Sequence, residues 1–271
     1  MAASAGAETA ARLPLGYHRM GRVLLLRLPR ELRPEFPQIG EAWRQELGVA
    51  TVLTQVGPVE GELRHPRIEV IAGTETDTEV IEHGIRYRFD AARILFATGN
   101  RAERQRAGWL TRPGETVVDL FAGVGYFALP AALRGDASVV YAAEKNPVAH
   151  GYLRQNAELN GVAERVRPLL GDNRELTIPL GEADRIFLGY LPSAAAWIPR
   201  ALELGRRSGV WLHVHRVADV RGGTDASSEL VRTTIESCGA SILSAPEARV
   251  VKPYGPGRNH VVVDVRARPR D

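Results

Sequence analysis

The chain reads Val117-Val118-Asp119-Leu120-Phe121-Ala122-Gly123-Val124-Gly125-Tyr126-Phe127 at the end of one apolar run, and Glu144 ends the next apolar run. The first run is rich in strand-forming residues and ends in a Gly-x-Gly turn, where missing side chains let the backbone approach a ligand closely. An acidic residue about 20 positions further along can accept hydrogen bonds from the two hydroxyls of a ribose. The stretch therefore predicts a nucleotide-binding corner between a strand and a helix.

Asp119 indicates which nucleotide the corner would bind. A carboxylate attracts the sulfonium cation of S-adenosylmethionine (SAM), whereas the pyrophosphate of a dinucleotide favours a bare helix N-terminus. The turn also lacks the third glycine of the dinucleotide pattern Gly-x-Gly-x-x-Gly, because Ala128 stands in its place. We therefore expect SAM as the ligand. The alternative is an ordinary strand, turn and helix that bind nothing.

Length and composition limit the class of protein. The 271 residues, 44% of them hydrophobic, can form a sizeable core in one or two domains. No apolar run approaches the ~18 residues that cross a bilayer, so we expect a soluble, cytoplasmic protein with no membrane partner. The single cysteine, Cys238, excludes an internal disulfide, a cysteine-built zinc site and an iron–sulfur cluster.

The net charge of +3 comes almost wholly from arginine, because Lys145 and Lys252 are the only lysines in the chain. Arginine stacks on bases and forms paired hydrogen bonds with phosphates, which would suit RNA. A GC-rich genome also encodes arginine in place of lysine, whatever the protein binds. Charge alone therefore leaves a nucleic-acid partner open.

Changes in composition divide the chain into four segments. The first 12 residues are rich in Ala, Ser and Gly and lack the apolar stretch of a secretion signal, so residues 1–15 are predicted to be a disordered lead-in. Residues 16–90 have a mixed pattern that predicts a small α+β domain. Residues 91–112 predict a helical connector, and residues 113–271 predict a SAM-binding catalytic domain.

Strands and helices alternate in the last segment. Apolar runs at 116–121 and 139–144 fit buried parallel strands, and Asn146-Pro147 fits an N-cap followed by proline in the first helical turn. The pattern predicts an α/β fold, a Rossmann-like sheet of the class I SAM-dependent transferase type, with a small N-terminal α+β domain. Further strands are predicted at 21–28, 67–73, 85–89, 166–170, 185–188 and 209–213. Helices are predicted at 36–47, 91–109, 127–133 and 193–204, the last with a kink at Pro199, and a C-terminal hairpin at 248–251 and 259–266.

In such a sheet the ligand binds at the carboxyl ends of the parallel strands. Three parts of the sequence lie there: the turn from Asp119 to Gly125, Glu144, and Gly171-Asp172-Asn173 after the third strand. Asp172 can accept a hydrogen bond from the exocyclic amine of adenine while a neighbouring backbone N–H donates to a ring nitrogen. Taken alone, Asp172 would be an ordinary turn residue. The predicted cofactor contacts are Asp119, Phe121, Gly123, Gly125, Phe127, Glu144, Lys145, Asp172, Asn173 and Gly189.

The end of the fourth strand, Leu188-Gly189-Tyr190-Leu191-Pro192, is where a SAM enzyme usually contacts its acceptor. Enzymes that methylate amine or ring nitrogens often carry Asn-Pro-Pro or Asn-Leu-Pro there, and the Asn amide oxygen holds the acceptor nitrogen. Gly189 stands where that Asn would be. We therefore do not expect an Asn-dependent methyl transfer.

From residue 16 to residue 266 the sequence resembles the archaeal and eukaryotic tRNA guanosine N1-methyltransferases, which act beside the anticodon. It is most similar to their sister family in the wybutosine pathway, the tRNA 3-amino-3-carboxypropyltransferases, which transfer that group from SAM to a tricyclic guanosine derivative. The resemblance is carried by 67–90, Phe96-Ala97-Thr98-Gly99-Asn100 with Glu103-Arg104, the SAM corner, 183–190, Trp211-Leu212-His213-Val214-His215 and 252–264.

Two positions separate these sister families. The methyltransferases typically show Phe-Ser-Pro-Arg in the connector and Asn-Leu-Pro after the fourth strand, and the Arg and the Asn serve the target guanine. The aminocarboxypropyl enzymes show Phe-Ser-Pro-Gly-Asn and Gly-Tyr instead. Gly99-Asn100 and Gly189-Tyr190 both agree with the second family, so the resemblance implies transfer of the 3-amino-3-carboxypropyl group.

The chemistry of SAM indicates that such a transfer depends on geometry. Three carbons surround the sulfonium sulfur, and a nucleophile displaces whichever carbon is held in line at about 3 to 3.5 Å. Arg104, or backbone N–H groups near Gly99 and Gly123, are predicted to receive the carboxylate of the transferred group. Asn100 and Tyr190 are predicted at the acceptor, where Tyr190 can stack on an aromatic ring.

His213 is a further catalytic candidate. It lies two residues before His215, so both side chains point to one face if a strand runs through them. Nearer the predicted strand end, His213 is expected to reach the cleft as a weak base or hydrogen-bond donor, against the alternative of a hydrogen-bonded core histidine. No metal is predicted, because no further ligands recur at metal spacing.

The acceptor is less clearly indicated than SAM. Ala97-Thr98 replaces Ser-Pro, and Leu191-Pro192-Ser193-Ala194 replaces a stretch that usually holds a threonine. The resemblance implies the modified guanosine beside the anticodon of tRNA(Phe), with tRNA as partner of a monomer or weak dimer. The alternatives are the same transfer to a small phenol, as in the isonocardicin step of nocardicin β-lactam assembly, tRNA guanosine N1-methylation, and RNA binding without turnover.

Overall fold

The computed structural model describes residues 12–13 and 16–270 of the chain. The chain divides into two compact units, Met1–Thr98 and Gly99–Asp271. The predicted lead-in at 1–15 lies outside the described residues, apart from Arg12 and Leu13. The boundary between the units falls inside the predicted connector at 91–112, so the helix of that connector belongs to the second unit.

The first unit combines a four-stranded sheet with a two-stranded hairpin. The sheet contains β1 (His18–Met20), β2 (Val23–Leu26), β3 (Thr51–Gln55) and β4 (Ile68–Ala72), and the hairpin contains β5 (Asp77–Glu82) and β6 (Ile85–Asp90). In the sheet the strands follow chain order, with β2 and β3 parallel and the other pairs antiparallel. Helix α1 (Phe36–Leu47) joins the two parallel strands, and its buried residues Phe36 and Ile39 belong to the core of this unit.

The sequence predicted α1 with its correct bounds but missed strand β5. Asp77–Glu82 is polar and shows no apolar alternation, so only its pairing with β6 reveals it as a strand. The two strands are joined by His83 and Gly84, which have positive φ angles of 50° and 77°, as a tight two-residue hairpin turn requires. The predicted strand at 21–28 is also shorter, because Gly21 has a φ of 57° and turns the chain before β2.

The second unit is built on an eight-stranded sheet. Its strands are β7 (Thr116–Asp119), β8 (Val139–Glu144), β9 (Val166–Leu170), β10 (Arg185–Leu188), β11 (Val210–Asp219), β12 (Ser241–Ile242), β13 (Glu247–Gly255) and β14 (Arg258–Arg268). The order is β12-β14-β11-β10-β7-β8-β9, and β13 also pairs with β14. Strands β7 to β11 are parallel, and β14 is antiparallel to β11. This is the predicted α/β, Rossmann-like sheet.

Strand β7 marks the point where the order of the sheet reverses. Strands β8 and β9 lie on one side of β7, and β10 and β11 lie on the other. In open α/β sheets the ligand crevice forms at such a point, outside the carboxyl ends of the strands. The turn that follows β7 begins at Leu120, so the Gly-x-Gly stretch lies at this edge of the sheet.

Helix α2 (Arg101–Leu110) precedes β7, and helices also follow most of the parallel strands. The latter are α3 (Ala128–Leu133), α4 (Pro147–Leu159), α5 (Ile198–Leu204) and α6 (Gly223–Ser237). The predicted cap of α4 is confirmed, because the Asn146 side chain accepts hydrogen bonds from the backbone N–H groups of Val148 and Ala149. Within the described residues no helix is both long and apolar enough to span a membrane.

Several predicted bounds were wrong. Residues 91–97 are not helical, and α2 starts only at Arg101, after a 3-10 turn over Thr98–Asn100. Pro199 does not kink a helix over 193–204, because it lies in the first turn of α5 and so helps to begin it. Strand β11 continues to Asp219 instead of ending at His213, because β14 pairs with it along its whole length. The sequence analysis did not identify α6 at all.

Candidate active site

The turn after β7 is held in shape by Asp119 and two glycines. The Asp119 carboxylate has no exposed surface, and it accepts hydrogen bonds from the backbone N–H of Phe121 and of Ala128, both at 3.2 Å. Gly123 and Gly125 have φ angles of 55° and 104°, which side chains disfavour. Asp119 therefore joins the two ends of the turn through hydrogen bonds. Because its carboxylate is fully buried, it would act on a bound ligand through its charge and not through a direct contact.

Burial also changes the acidity of Asp119. Removal from water raises the pKa of this carboxyl to about 7, and the nearby Glu144 adds to the effect. The neutral and the ionised form are therefore both populated near neutral pH. A cation bound above the turn would favour the ionised form.

Glu144 connects the end of β8 to the same turn. One carboxylate oxygen accepts a hydrogen bond from Gly123 N and the other accepts one from Asn146 N, both at 2.7 Å. Burial raises the pKa of Glu144. An ionised carboxylate has about four acceptor positions, so Glu144 keeps capacity for the ribose hydroxyls expected there.

The third predicted contact, after β9, contains a salt-bridged aspartate. Asp172 accepts hydrogen bonds from Lys145 at 3.1 Å and from Arg174 at 2.6 Å, and the Arg174 guanidinium holds its pKa well below the usual range. Asn173 is buried and donates to the backbone oxygen of Leu120 at 2.6 Å, whereas its side-chain oxygen has no hydrogen-bond partner. The structure thus brings Lys145, Asp172 and Asn173 to the edge where the first turn lies.

At the end of β10, Gly189 leaves room for the ring of Phe127. A Cβ added at residue 189 would lie 2.7 Å from Cε2 of Phe127. The next residue, Tyr190, is half-buried and packs against Phe121 and Trp197 with ring centroids 5.1 Å apart in each case. The predicted acceptor position therefore has an aromatic cluster, Phe121, Tyr190 and Trp197, and no side chain at 189.

The segment before α2 supplies Gly99, Asn100 and Arg104. The side-chain oxygen of Asn100 is buried and has no hydrogen-bond partner. Arg104 is buried, and its guanidinium carbon lies 5.7 Å from the centre of the Tyr126 ring, which places it beside the glycine turn. Gly99 faces the side chain of Lys252, at 3.0 Å from a Cβ position to Cδ and 3.1 Å to Nζ.

Ion pairs fix α2 against the C-terminal strands. The buried Glu103 pairs with Arg249 of β13 and with Arg106, at 3.2 Å for the second pair. Arg106 also pairs with Asp264 of β14. Asn100 and Arg104 lie within four residues of Glu103, so this network anchors the segment that carries them.

His213 does not take the catalytic place that the sequence suggested. Arg185 donates to its Nε2 at 2.8 Å, and its Nδ1 lies 2.5 Å from Asp264. Because Arg185 can only donate, Nε2 is an acceptor and the proton is on Nδ1. His213 is 1% exposed, and burial lowers its pKa. It is therefore a neutral, hydrogen-bonded core histidine, which is the alternative considered above.

Two other histidines, His215 of β11 and His260 of β14, are paired with each other. Nδ1 of His215 and Nε2 of His260 are 2.8 Å apart, and both rings are buried. Burial is the main cause that lowers the pKa of each to about 3. The other ring nitrogens, Nε2 of His215 and Nδ1 of His260, have no hydrogen-bond partner. The sequence analysis missed His260, because only the antiparallel pairing of β11 and β14 brings it to His215.

Comparison with known proteins identifies the family. Residues 78–243 match the TRM5/TYW2 methyltransferase domain. The chain belongs to the TRM5/TYW2 family. Residues 1–76 match the TYW2 N-terminal domain, so both matched parts of this TRM5/TYW2 protein agree with the resemblance drawn from its motifs.

The relatives of this TRM5/TYW2 protein indicate which of the two sister families it is more similar to. It is 38% identical over 256 residues, 94% of this chain and 90% of the relative, to the tRNA(Phe) (4-demethylwyosine(37)-C(7)) aminocarboxypropyltransferase of Pyrococcus horikoshii. The crystal structure of P. horikoshii TYW2 in complex with MeSAdo is similar with a TM-score of 0.86 and 33% identity, covering 99% of this chain and 97% of that one. The structure of M. jannaschii TYW2 in complex with AdoMet, another abbreviation for SAM, has a TM-score of 0.76 and 28% identity, covering 94% and 100%.

The side chains of this family member suit an organic ligand at the crevice. Around it lie a glycine turn, three strand-end side chains and an aromatic cluster. Within the described residues no three His, Cys, Asp or Glu side chains are placed to hold a metal ion. The side-chain oxygens of Asn173 and Asn100 have no hydrogen-bond partner. Both could accept hydrogen bonds from a bound nucleoside that carries an amino group.

Proposed function

We propose that this protein transfers the 3-amino-3-carboxypropyl group of SAM to the modified guanosine beside the anticodon of tRNA(Phe). The observation that carries the proposal is Gly189. In the methyltransferases the corresponding Asn holds the target guanine, whereas a side chain at 189 would meet the Phe127 ring here. The end of β10 therefore cannot supply that amide while Phe127 keeps its position.

The donor chemistry follows from the sulfonium. SAM supplies an electrophilic γ-carbon, and transfer breaks its bond to sulfur, leaving methylthioadenosine, whereas methyl transfer leaves S-adenosylhomocysteine. MeSAdo is an abbreviation for methylthioadenosine, and it is the ligand in the P. horikoshii relative's structure. The P. horikoshii relative is also named for this group transfer at C7 of 4-demethylwyosine. These two facts support aminocarboxypropyl transfer over methylation.

The chain's own residues would bind and orient the two substrates. Glu144 would bind the ribose, and Asp172 with Asn173 would bind the adenine. Tyr190, supported by Phe121 and Trp197, offers an aromatic face on which the acceptor base can stack, a contact worth about 1–3 kcal/mol. Asn100, the residue that precedes α2, would contribute its side-chain oxygen.

General base catalysis is not part of the proposal. His213 uses both ring nitrogens inside the core, and burial lowers the pKa of His215 to about 3. A phenol must lose its proton in order to be alkylated. Among the residues that the structure describes, neither His213 nor His215 is suited to take that proton, which disfavours the small-molecule alternative. A ring carbon of an electron-rich base can attack the γ-carbon while it still carries its hydrogen, if it is correctly placed. The cationic ring that results then releases this proton to water, so a strong base is not required for the attack.

Identification of the nucleoside product tests the proposed reaction. The protein is incubated with SAM and with tRNA(Phe) that carries the tricyclic precursor, and the small molecules are separated by chromatography. We expect methylthioadenosine in an amount equal to the modified tRNA. S-adenosylhomocysteine as the product would contradict the proposal.

A salt series tests the tRNA partner. Binding through phosphate contacts releases counterions, so the affinity for tRNA should fall steeply as salt rises. A small phenol would instead react at a rate that depends little on salt. Salt-insensitive turnover of a phenol, without binding of tRNA, would overturn the assignment of the acceptor.

A further inference from the structure

A neighbouring side chain occupies the space beside Gly99, whereas the backbone of Gly99 does not require a glycine. Its φ angle lies outside the left-handed region where glycine is favoured, since it is absent from the positive-φ glycines of the chain. A Cβ at this position would instead meet Lys252, at 3.0 Å from Cδ and 3.1 Å from Nζ. The ammonium group of Lys252 therefore occupies the space into which a side chain at 99 would extend.

Lys252 lies at the ligand edge of the sheet. It pairs across the strands with His260, β13 against β14, and its charge is close enough to contribute to the lowered pKa of His260, after burial and His215. His260 contacts His215, which lies one residue beyond the level where β10 ends, because Leu188 is paired with Val214.

Further contacts connect His215 to the proposed acceptor position at Gly189. The His215 ring lies 5.2 Å from the ring of Phe127, and Phe127 is the side chain that fills the space beside Gly189. The two glycines that separate this chain from the methyltransferases, Gly99 and Gly189, thus lie at the two ends of one series of contacts. Lys252 is the charged member of that series.

Two polar atoms without hydrogen-bond partners belong to neighbours of Lys252 in the fold or to residues next to those neighbours. They are the side-chain oxygen of Asn100, which follows Gly99 directly, and Nδ1 of His260, opposite Lys252 in the strand pair. Buried polar groups nearly always have a partner, and a fully buried histidine with an unpaired nitrogen therefore points to a ligand or a water at this place. Asn100 offers an acceptor oxygen, and Lys252 offers an ammonium group next to the preceding residue, Gly99. Together they are complementary to a ligand that carries both an amino group and a carboxylate.

We propose that Lys252 receives the carboxylate of the 3-amino-3-carboxypropyl arm of SAM, while the side-chain oxygen of Asn100 accepts from the amino group of that arm. This inference rests on the proposed function, because it assigns the residues that hold the transferred group. It replaces Arg104 in the role expected from the sequence. Arg104 is 2% exposed and lies over Tyr126, whereas Lys252 is only half-buried and borders the exposed Gly99.

Lys252, on β13, places a positive charge beside Gly99 at the start of the connector. A carboxylate held by Lys252 turns the arm of SAM toward the acceptor side, so the γ-carbon and not the methyl carbon is presented. Lys252 is thus a positioning residue that selects the group to be transferred.

Binding of two matched ligands tests this assignment without any turnover. Decarboxylated SAM keeps the sulfonium and the amino group and lacks only the carboxylate. We expect the wild-type protein to bind SAM about 10-fold or more tightly than decarboxylated SAM, as a charge-assisted contact allows. Lys252→Met should abolish this preference, and its affinity for decarboxylated SAM should stay within twofold of the wild-type value.

Three further variants guard against a simple folding defect. Lys252→Arg keeps the charge and should retain part of the preference for SAM. Gly99→Ala should weaken the preference moderately, because its Cβ must displace the end of Lys252 by a few tenths of an ångström. Arg232→Met removes a cation from the exposed face of α6, where it pairs with Glu229, and should change neither affinity.

Several results would overturn the assignment. Equal loss of affinity for both ligands in Lys252→Met, or an undiminished preference for SAM, would show that Lys252 does not hold the carboxylate. A loss confined to tRNA affinity would assign the lysine to a phosphate instead, and loss of the preference in Arg104→Lys alone would favour Arg104. The proposed function is judged separately, by the nucleoside that the wild-type protein releases.

Discussion

The ring of Phe127 lies so close to Gly189 that a Cβ at residue 189 would come within 2.7 Å of its Cε2. The ring cannot move away freely, because it also packs against Phe187 and His215 with centroid distances of 5.3 and 5.2 Å. The glycine at the end of β10 and the phenylalanine after the glycine turn are therefore coupled. That coupling shapes the crevice where donor and acceptor would meet.

Gly189→Ala tests the coupling. The added methyl group overpacks the site, and we expect a loss of about 1–3 kcal/mol in the free energy of unfolding, with slower group transfer. Phe127→Leu in the same chain should recover most of the loss, because the shorter side chain vacates the space. Urea unfolding of the two single variants and the double variant measures the interaction energy. Strictly additive effects would show that the two residues are independent.

Tyr190 is expected to act on the acceptor and not on SAM. Tyr190→Ala removes the stacking face and should weaken binding of the tRNA acceptor by about 1–3 kcal/mol, with the affinity for SAM unchanged. Tyr190→Phe keeps the ring and serves as the matched control. Titration of both variants with SAM and with precursor tRNA separates the two effects. An equal weakening by Ala and Phe would contradict a stacking role.

His213 is expected to matter for stability more than for chemistry. His213→Ala leaves Asp264 without one hydrogen bond and leaves an N–H of Arg185 unpaired in the core. Each buried group that loses its partner costs about 1–3 kcal/mol, and urea unfolding should detect the sum. The fraction that remains folded should transfer the group at a rate close to the wild-type rate. A variant of normal stability and greatly reduced turnover would restore His213 as a catalytic residue.

The raised pKa of Asp119 predicts how the affinity for SAM depends on pH. Its pKa in the free protein is raised to about 7 by burial, so the carboxyl is largely protonated at pH 6. The sulfonium favours the ionised form and lowers this pKa in the complex, so binding releases a proton below pH 7. The affinity for SAM should therefore rise with pH up to about 7 and then level off.

S-adenosylhomocysteine is the matched ligand for that experiment, because its sulfur carries no charge. Calorimetric titrations between pH 5.5 and pH 8 should give a steeper dependence for SAM than for the neutral analogue. Asp119→Asn should remove the difference in slope. Identical slopes for the two ligands would mean that Asp119 does not sense the sulfonium.

Local sequence signals were sufficient to predict the nucleotide-binding turn and the strands and helix next to it. The Gly-x-Gly turn, the Asn146-Pro147 helix start and the apolar parallel strands depend on residues that are neighbours in the chain. Their physical causes, glycine backbone freedom, capping and burial on both faces of a sheet, act over a few residues. The sequence therefore predicted them with nearly correct bounds.

Contacts between distant segments could not be predicted in the same way. His213, expected to act in the cleft as a weak base or hydrogen-bond donor, is instead hydrogen-bonded to Asp264. The unpredicted partner of His215 is His260, because β14 pairs antiparallel with β11. Likewise, the sequence marked Gly99 as a discriminating position, but only the structure shows that Lys252 fills the space beside it. These sites depend on register across strands, which no local pattern encodes.

The fate of two isotopic labels tests the central claim most directly. SAM labelled in the methyl carbon and SAM labelled in the carboxyl carbon are each incubated with the protein and precursor tRNA(Phe), and the label in the tRNA is counted. We predict that the carboxyl label enters the tRNA and that the methyl label remains with the released nucleoside. Methyl label in the tRNA, without carboxyl label, would contradict the assignment of this chain as an aminocarboxypropyltransferase.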